Sequence, residues 1–176
     1  YLDQLKFIFL KLERCKFNDE SMKTLCDQIF SWTLNLQSFC VDFDSSQIID
    51  RDLKILAKTI EAAFCTKLEY FTLVLANNNE VTDDGMEPIF QIIQGMEVLK
   101  DLRLVLSETE ISNKSLEMFG ESVLRNLQNL SSLVLCINSN ISEEGIWPVL
   151  KNLPGNLKRL EIYLSYTLIT DKTLEI

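Results

Sequence analysis

Apolar residues in this chain recur in the order L-x-x-L-x-L-x-L. Copies of that pattern start at Leu5, Leu36, Leu68, Leu99, Leu130 and Leu157, with steps of 31, 32, 31, 31 and 27 residues. The sets are Leu5/Ile8/Leu10/Leu12, Leu36/Phe39/Val41/Phe43, Leu68/Phe71/Leu73/Leu75, Leu99/Leu102/Leu104/Leu106, Leu130/Leu133/Leu135/Ile137 and Leu157/Leu160/Ile162/Leu164. Hydrophobic residues make up 47% of the chain, so chance would leave about half of these positions polar, yet all are apolar. Alternation within each set has the period of a strand with one buried face.

Ten residues after each start stands a small hydrogen-bonding residue: Cys15, Ser46, Asn78, Thr109, Asn140 or Thr167. A chain turning off a strand leaves backbone N–H and C=O groups unpaired, and short polar side chains can satisfy them from inside the turn. Stacked copies would line these residues up as a ladder. The segments "FNDESM", "IIDRDL", "VTDDGM", "ISNKSL", "ISEEGI" and "ITDKTL" then open helices, with Thr82, Ser112, Ser142 and Thr170 as N-caps. Acids in the first turn suit the helix dipole. The spacing that follows is helical: Met22/Leu25/Ile29, Leu53/Leu56/Ile60, Met86/Ile89/Ile93, Leu116/Phe119/Val123 and Ile146/Val149/Leu153. "IIQGME" and "NLPGN" read as helix exits.

Each copy is therefore strand, turn and helix, a unit too small to bury its own apolar face, so that neighbours must stack. This pattern resembles the leucine-rich repeat family, in its ribonuclease-inhibitor-like class, over nearly the whole chain. The extension from L-x-x-L-x-L to L-x-x-L-x-L-x-L, which moves the ladder two residues along, resembles the large repeat families of protist proteins. The resemblance implies an α/β solenoid or horseshoe of about six repeats, with a parallel β-sheet on the concave face and helices on the convex face. Residues 1–176 form one domain, expected to be a fragment of a longer chain because there is no initiator Met and neither end carries a polar cap. A protein-binding or scaffolding module, without enzymatic activity, is the function the resemblance implies. The alternative it leaves is a regulatory repeat domain of the GTPase-activating or ubiquitin-ligase substrate-receptor type.

Charge narrows the partners. The net charge is −9, which argues against nucleic acid and anionic membrane and leaves a protein with a basic segment, within a larger complex. No apolar run is long enough to span a bilayer, and "YLDQLKFIFLKLERC" lacks the basic start and small-residue cleavage site of a signal peptide. Five cysteines, odd in number and without a C-x-x-C pair, point to free thiols in a reducing, cytoplasmic compartment, cytoskeletal or ciliary among others. The N-x-S/T triplets at Asn113, Asn129 and Asn140 are discounted on the same ground.

Catalytic chemistry finds little to work with. There is no histidine, which removes Ser-His-Asp and Cys-His nucleophiles and histidine metal sites. Phosphate-binding glycine loops are lacking, and no cofactor or metal is expected. The carboxylate pairs Asp19/Glu20, Asp83/Asp84 and Glu143/Glu144 each fall at a helix start, where a repeated structural role explains them.

Two surface features remain. Residues between the core positions of each strand should face the concave side: Phe7, Ser38, Tyr70, Asp101, Ser132, Arg159; Phe9, Cys40, Thr72, Arg103, Val134, Glu161; Lys11, Asp42, Val74, Val105, Cys136, Tyr163. The middle of this face is apolar, either because Val and Phe favour strands or because a partner covers it. Between Leu68 and Val98 stand six acids (Glu69, Glu80, Asp83, Asp84, Glu87, Glu97) and no Lys or Arg. They are either a solvated helix start or a docking spot for a basic segment. The candidate partner-binding residues are Phe9, Tyr70, Thr72, Val74, Arg103, Val105, Val134 and Tyr163 on the strands, with Glu80, Asp83 and Asp84 beside them.

Overall fold

A computed structural model describes residues 2, 4–18, 20–30, 33–63, 65–137 and 140–170. Strands and helices alternate: β1 (Phe7–Lys11), α1 (Ser21–Gln28), β2 (Ser38–Asp42), α2 (Asp50–Ala63), β3 (Tyr70–Val74), α3 (Asp83–Gln94), β4 (Asp101–Val105), α4 (Asn113–Met118), β5 (Ser132–Cys136), α5 (Glu143–Lys151) and β6 (Arg159–Tyr163). The strands make one six-stranded sheet in chain order, and every neighbouring pair is parallel. Register is constant from unit to unit. Phe7, Ser38, Tyr70, Asp101, Ser132 and Arg159 lie in one row across the sheet, and Phe9, Cys40, Thr72, Arg103, Val134 and Glu161 in the next.

The fourth apolar position of the motif lies just beyond each strand, and the ladder continues through it. Leu12, Phe43, Leu75 and Leu106 donate their N–H to Asp42, Val74, Val105 and Cys136 carbonyls at 2.7–2.9 Å. This accounts for the added L-x in the motif: pairing runs one residue further while the side chain still points into the core. Leu36, Phe39, Val41 and Phe43 are wholly buried, as are their counterparts in the third and fourth units. Helix residues Met22, Leu53, Leu56, Ile60, Met86, Ile89, Ile93, Leu116, Phe119, Ile146 and Val149 pack against them in one core. Phe39 stacks on Phe71 at 5.8 Å and meets Phe30 edge-on at 5.0 Å.

The outer units depart from the sequence expectation. Leu5, Leu10 and Leu12 are only partly buried, Leu157, Ile162 and Leu164 likewise, and Leu160 is 43% exposed. Among the described residues their sheet rows have a neighbouring unit on one side only, so they receive half of the packing of the inner units. α4 is also shorter than its apolar stripe. After Met118 the chain widens into a π turn over Phe119–Val123 and tightens into a 3₁₀ turn over Leu124–Asn126. The change of winding keeps Phe119, Val123, Leu124 and Leu127 all buried. α3 exits at Gly95, as the sequence predicts, with a right-handed backbone (φ −82°).

Candidate interaction face

Two inter-unit ladders hold the sheet and set the geometry of its edges. The first is the small polar column. Asn78 is buried, and its Nδ2 donates to the carbonyls of Leu75 (2.9 Å), Ala76 (3.0 Å) and, in the preceding unit, Phe43 (2.9 Å). Its Oδ1 accepts from the N–H groups of Ser46 (3.2 Å) and Ile48 (2.9 Å). One side chain thus satisfies five backbone groups across two units. Ser46 and Thr109 are buried in the same column, Ser46 donating to the Leu12 carbonyl and Thr109 to that of Leu106. Cys15 and Asn140, expected in this column, are exposed instead.

The second ladder runs along the helix starts, and the sequence reading missed it. Asp50 accepts from both the N–H (2.7 Å) and the hydroxyl (2.6 Å) of Thr82, 32 residues on. Asp83 does the same for Ser112 (2.9 and 2.6 Å) and also receives the Ser115 hydroxyl. Asn113 accepts the Ser142 N–H (3.0 Å) and donates to its hydroxyl (2.8 Å). Glu143 accepts the N–H (2.9 Å) and hydroxyl of Thr170. The first residues of α2, α3 and α4 therefore clasp the N-cap of the following helix, and Glu143 at the start of α5 holds Thr170 in the same way. Thr82 and Ser112 also cap their own helices, accepting from the N–H of Asp84 and of Lys114, whereas the Ser142 hydroxyl makes no such cap bond. The helix that Thr170 was expected to cap, and Asp19 of the first acidic pair, lie outside the described residues.

This clasp changes the reading of the acidic cluster. Burial pushes the Asp83 carboxyl up, but the bonds from Ser112 and Ser115 outweigh it and hold the group below its ordinary value. Asp83 is thus engaged within the fold. Glu80 and Asp84 are exposed. Glu80 borders a hollow of about 490 Å³ between the first three units, lined by Phe17, Asn18, Ile48, Asn77 and Asn79 among others.

The sheet face opposite the helices is open over most of its area. Phe7 (57%), Phe9 (55%), Tyr70 (48%) and Tyr163 (51%) are exposed on it. Thr72, Val74 and Val105 are half-buried beside the exposed Arg103. Val134, expected to point outward, does lie in the outward row but is only 2% exposed. It stands outside the core cluster, flanked in register by the longer Arg103 and Glu161 side chains. Glu161 accepts from Arg159 (3.0 Å) and from the Tyr163 hydroxyl (3.0 Å). Arg159 foremost, then Tyr163, lowers the Glu161 carboxyl, and Glu161 in turn raises Tyr163.

Burial raises the thiols of Cys40 and Cys136, and it pushes Cys26 and Cys65 up to about 11. All five cysteines are free thiols. Among the described residues no group of three or more His, Cys, Asp or Glu is placed to hold a metal ion, and no helix is long and apolar enough to cross a membrane. Comparison with protein-family models gives no match, and comparison with curated proteins gives none either.

Proposed function

We propose that the chain is a leucine-rich-repeat horseshoe of the ribonuclease-inhibitor-like class. In this reading it acts without catalysis, as a protein-interaction or scaffolding module of a larger intracellular assembly. The open sheet face is the concave binding surface, and the exposed aromatic set Phe7, Phe9, Tyr70 and Tyr163 on that one face carries the proposal. Large aromatic side chains give contact area at low conformational cost, and they concentrate where binding energy does. Val74 and Val105 extend the apolar strip between them. Glu80 and Asp84, beyond the turn that follows β3, add negative potential that steers a basic partner. Salt screens this steering over roughly 8–10 Å.

The test is kinetic, on the protein captured by the full-length chain. Val74→Asp and Val105→Asp place a charge under the partner and should raise the off-rate at least about tenfold. Glu80→Lys with Asp84→Lys should lower the on-rate and flatten its salt dependence while leaving the off-rate nearly unchanged. Asp83 is left intact, since its loss would unfasten α3 from α4. A partner that ignores the valine changes and is released by substitutions on the helices would overturn the proposal.

A further inference from the structure

The row of residues that opens the strands holds an unmet hydrogen bond. Ser132, the first residue of β5, lies on the open face between Asp101 and Arg159 in register. It is only 9% exposed, and its buried hydroxyl has no hydrogen-bond partner among the described residues. A buried polar group in that condition is uncommon and asks for an account.

Its neighbour Asp101 is in a related state. The Asp101 carboxylate is half-buried and makes no ion pair or hydrogen bond among the described residues. The cations nearest to it in sequence or row make their direct ion pairs elsewhere. Lys100 holds Glu69 at 2.7 Å, and Arg159 holds Glu161 at 2.9 Å and reaches Asp101 only through space. Arg103, two residues along the same strand, acts electrostatically on Glu161. On the other side of Asp101, in register, stands the exposed ring of Tyr70. An aromatic face, a carboxylate without a direct ion-pair or hydrogen-bond partner and a hydroxyl without a partner thus lie side by side on three adjacent strands. At about 4.8 Å per strand the row spans roughly 10 Å.

That set is complementary to a planar cation with several N–H donors. A guanidinium lies flat against a tyrosine ring, forks onto a carboxylate with two N–H groups and keeps others for a further acceptor. An ammonium is a compact point charge that matches the carboxylate but not the row. We propose that Tyr70, Asp101 and Ser132 form the seat for one arginine side chain of the partner protein. The inference rests on the open face being the binding surface. Ser132 stands next to Asp101 in register, so a guanidinium forked onto the carboxylate would bring its remaining N–H toward the hydroxyl's side of the row. The acidic character of the chain, net −9, favours the approach of such a segment.

The experiment selects random-sequence displayed peptides on the 176-residue chain and retests each binder on four variants. Retained peptides should contain arginine. Replacing that arginine by citrulline, its neutral isostere, or changing Asp101→Asn should weaken binding at least about tenfold, the loss of a charge-assisted pair. Tyr70→Ala and Ser132→Ala should each weaken it by about two- to fivefold. Were the Ser132 hydroxyl only a packing feature, Ser132→Ala would leave binding unchanged. Binders that lack arginine, that accept lysine in its place without loss, or that are indifferent to Asp101→Asn overturn the seat. If those binders still fail on Val105→Asp, the concave-face reading survives without it. Indifference to Val105→Asp, or a selection that yields no binder, overturns both.

Discussion

In five of the six units a described residue other than glycine bends the chain off the sheet at one fixed position. Arg14, Ser45, Asn77, Glu108 and Tyr166 all lie nine residues after a repeat start, and all are left-handed, with φ between 54° and 61°. The N–H groups of Arg14, Ser45 and Asn77 still donate to the next unit, to the carbonyls of Asp44, Ala76 and Ser107. That pairing holds a conformation which costs an L-residue roughly 1–2 kcal/mol. Glu108→Gly relieves that strain while loosening the unfolded chain, so denaturant melts should change by less than about 0.5 kcal/mol. Glu108→Val, with a branched Cβ, should lose about 1–2 kcal/mol more. The clasp gives a second measurement at this scale. A methyl group on Gly85 would stand 2.9 Å from the Asp50 Cα and 2.2 Å from its Oδ1, and Gly145 faces Asn113 in the same way. Gly85→Ala should therefore destabilise by about 1–3 kcal/mol, despite the helix propensity gained. Asp83 adds a pH dependence of defined sign. Its folded carboxyl lies below its ordinary value, so its contribution is present above the unfolded-state pKa and fades as pH falls through the folded one. The stability gap between wild type and Asp83→Asn should be widest at neutral pH and close in acid.

At the level of the element, register decides which face each side chain meets. Leu104 is wholly buried and Arg103 is exposed one residue away. Leu104→Ala should cost on the order of 2–5 kcal/mol and Arg103→Ala much less; equal losses on denaturant melts would mean the strand is out by one. Asn78→Ala removes one hydrogen bond from each of five backbone groups, most of them buried, and a loss of about 3 kcal/mol or more is expected. The strands, their register and the helix stripes were legible because each rests on local periodicity that six copies repeat. The clasp was not. Asp50 and Thr82 stand 32 residues apart, and an acid in a first helical turn already has a local explanation in the helix dipole, so nothing in the one-dimensional pattern called for a second role. A signal did exist: Thr82-Asp83, Ser112-Asn113 and Ser142-Glu143 set a hydroxyl beside a carboxylate or amide in copy after copy. The covering of Val134 was equally out of reach, because it depends on the lengths of side chains in rows 31 residues before and 27 after it. The candidate face was readable as a set of columns. Which of its groups lack partners emerged only when Lys100 and Arg159 were seen engaged with Glu69 and Glu161.

Across the whole molecule, burial is graded from the middle outward. The second, third and fourth units keep all four motif positions wholly buried, while Leu5, Leu10 and Leu12 at one end and Leu160 and Ile162 at the other do not. Each unit touches chiefly its sequence neighbours, so stability is close to a sum of unit and interface terms, and an end unit lacks one interface. Thiol chemistry samples this coarsely. Alkylation of unreduced, denatured protein should count five thiols. In the native state Cys15, which is exposed, should react within the dead time of a slow reagent, while Cys26 and Cys65, buried and protonated with values near 11, should wait for opening. Hydrogen exchange samples it strand by strand. Amides of β3 and β4 have pairing strands on both sides and a fully buried core beneath them, so they should exchange only through the largest opening. Those of β1 and β6 have one pairing strand each and need only the loss of a terminal interface, which places their exchange orders of magnitude faster. Leu73→Ala should then accelerate β3 and β4, which exchange through the largest opening, while β1 and β6, which open at the ends, change little. Ile162→Ala should accelerate β6 and its neighbour while leaving β3 nearly untouched. A single common rate for all six strands, shifted equally by both substitutions, would show that the sheet opens as one cooperative body and that nearest-neighbour stacking does not govern its stability.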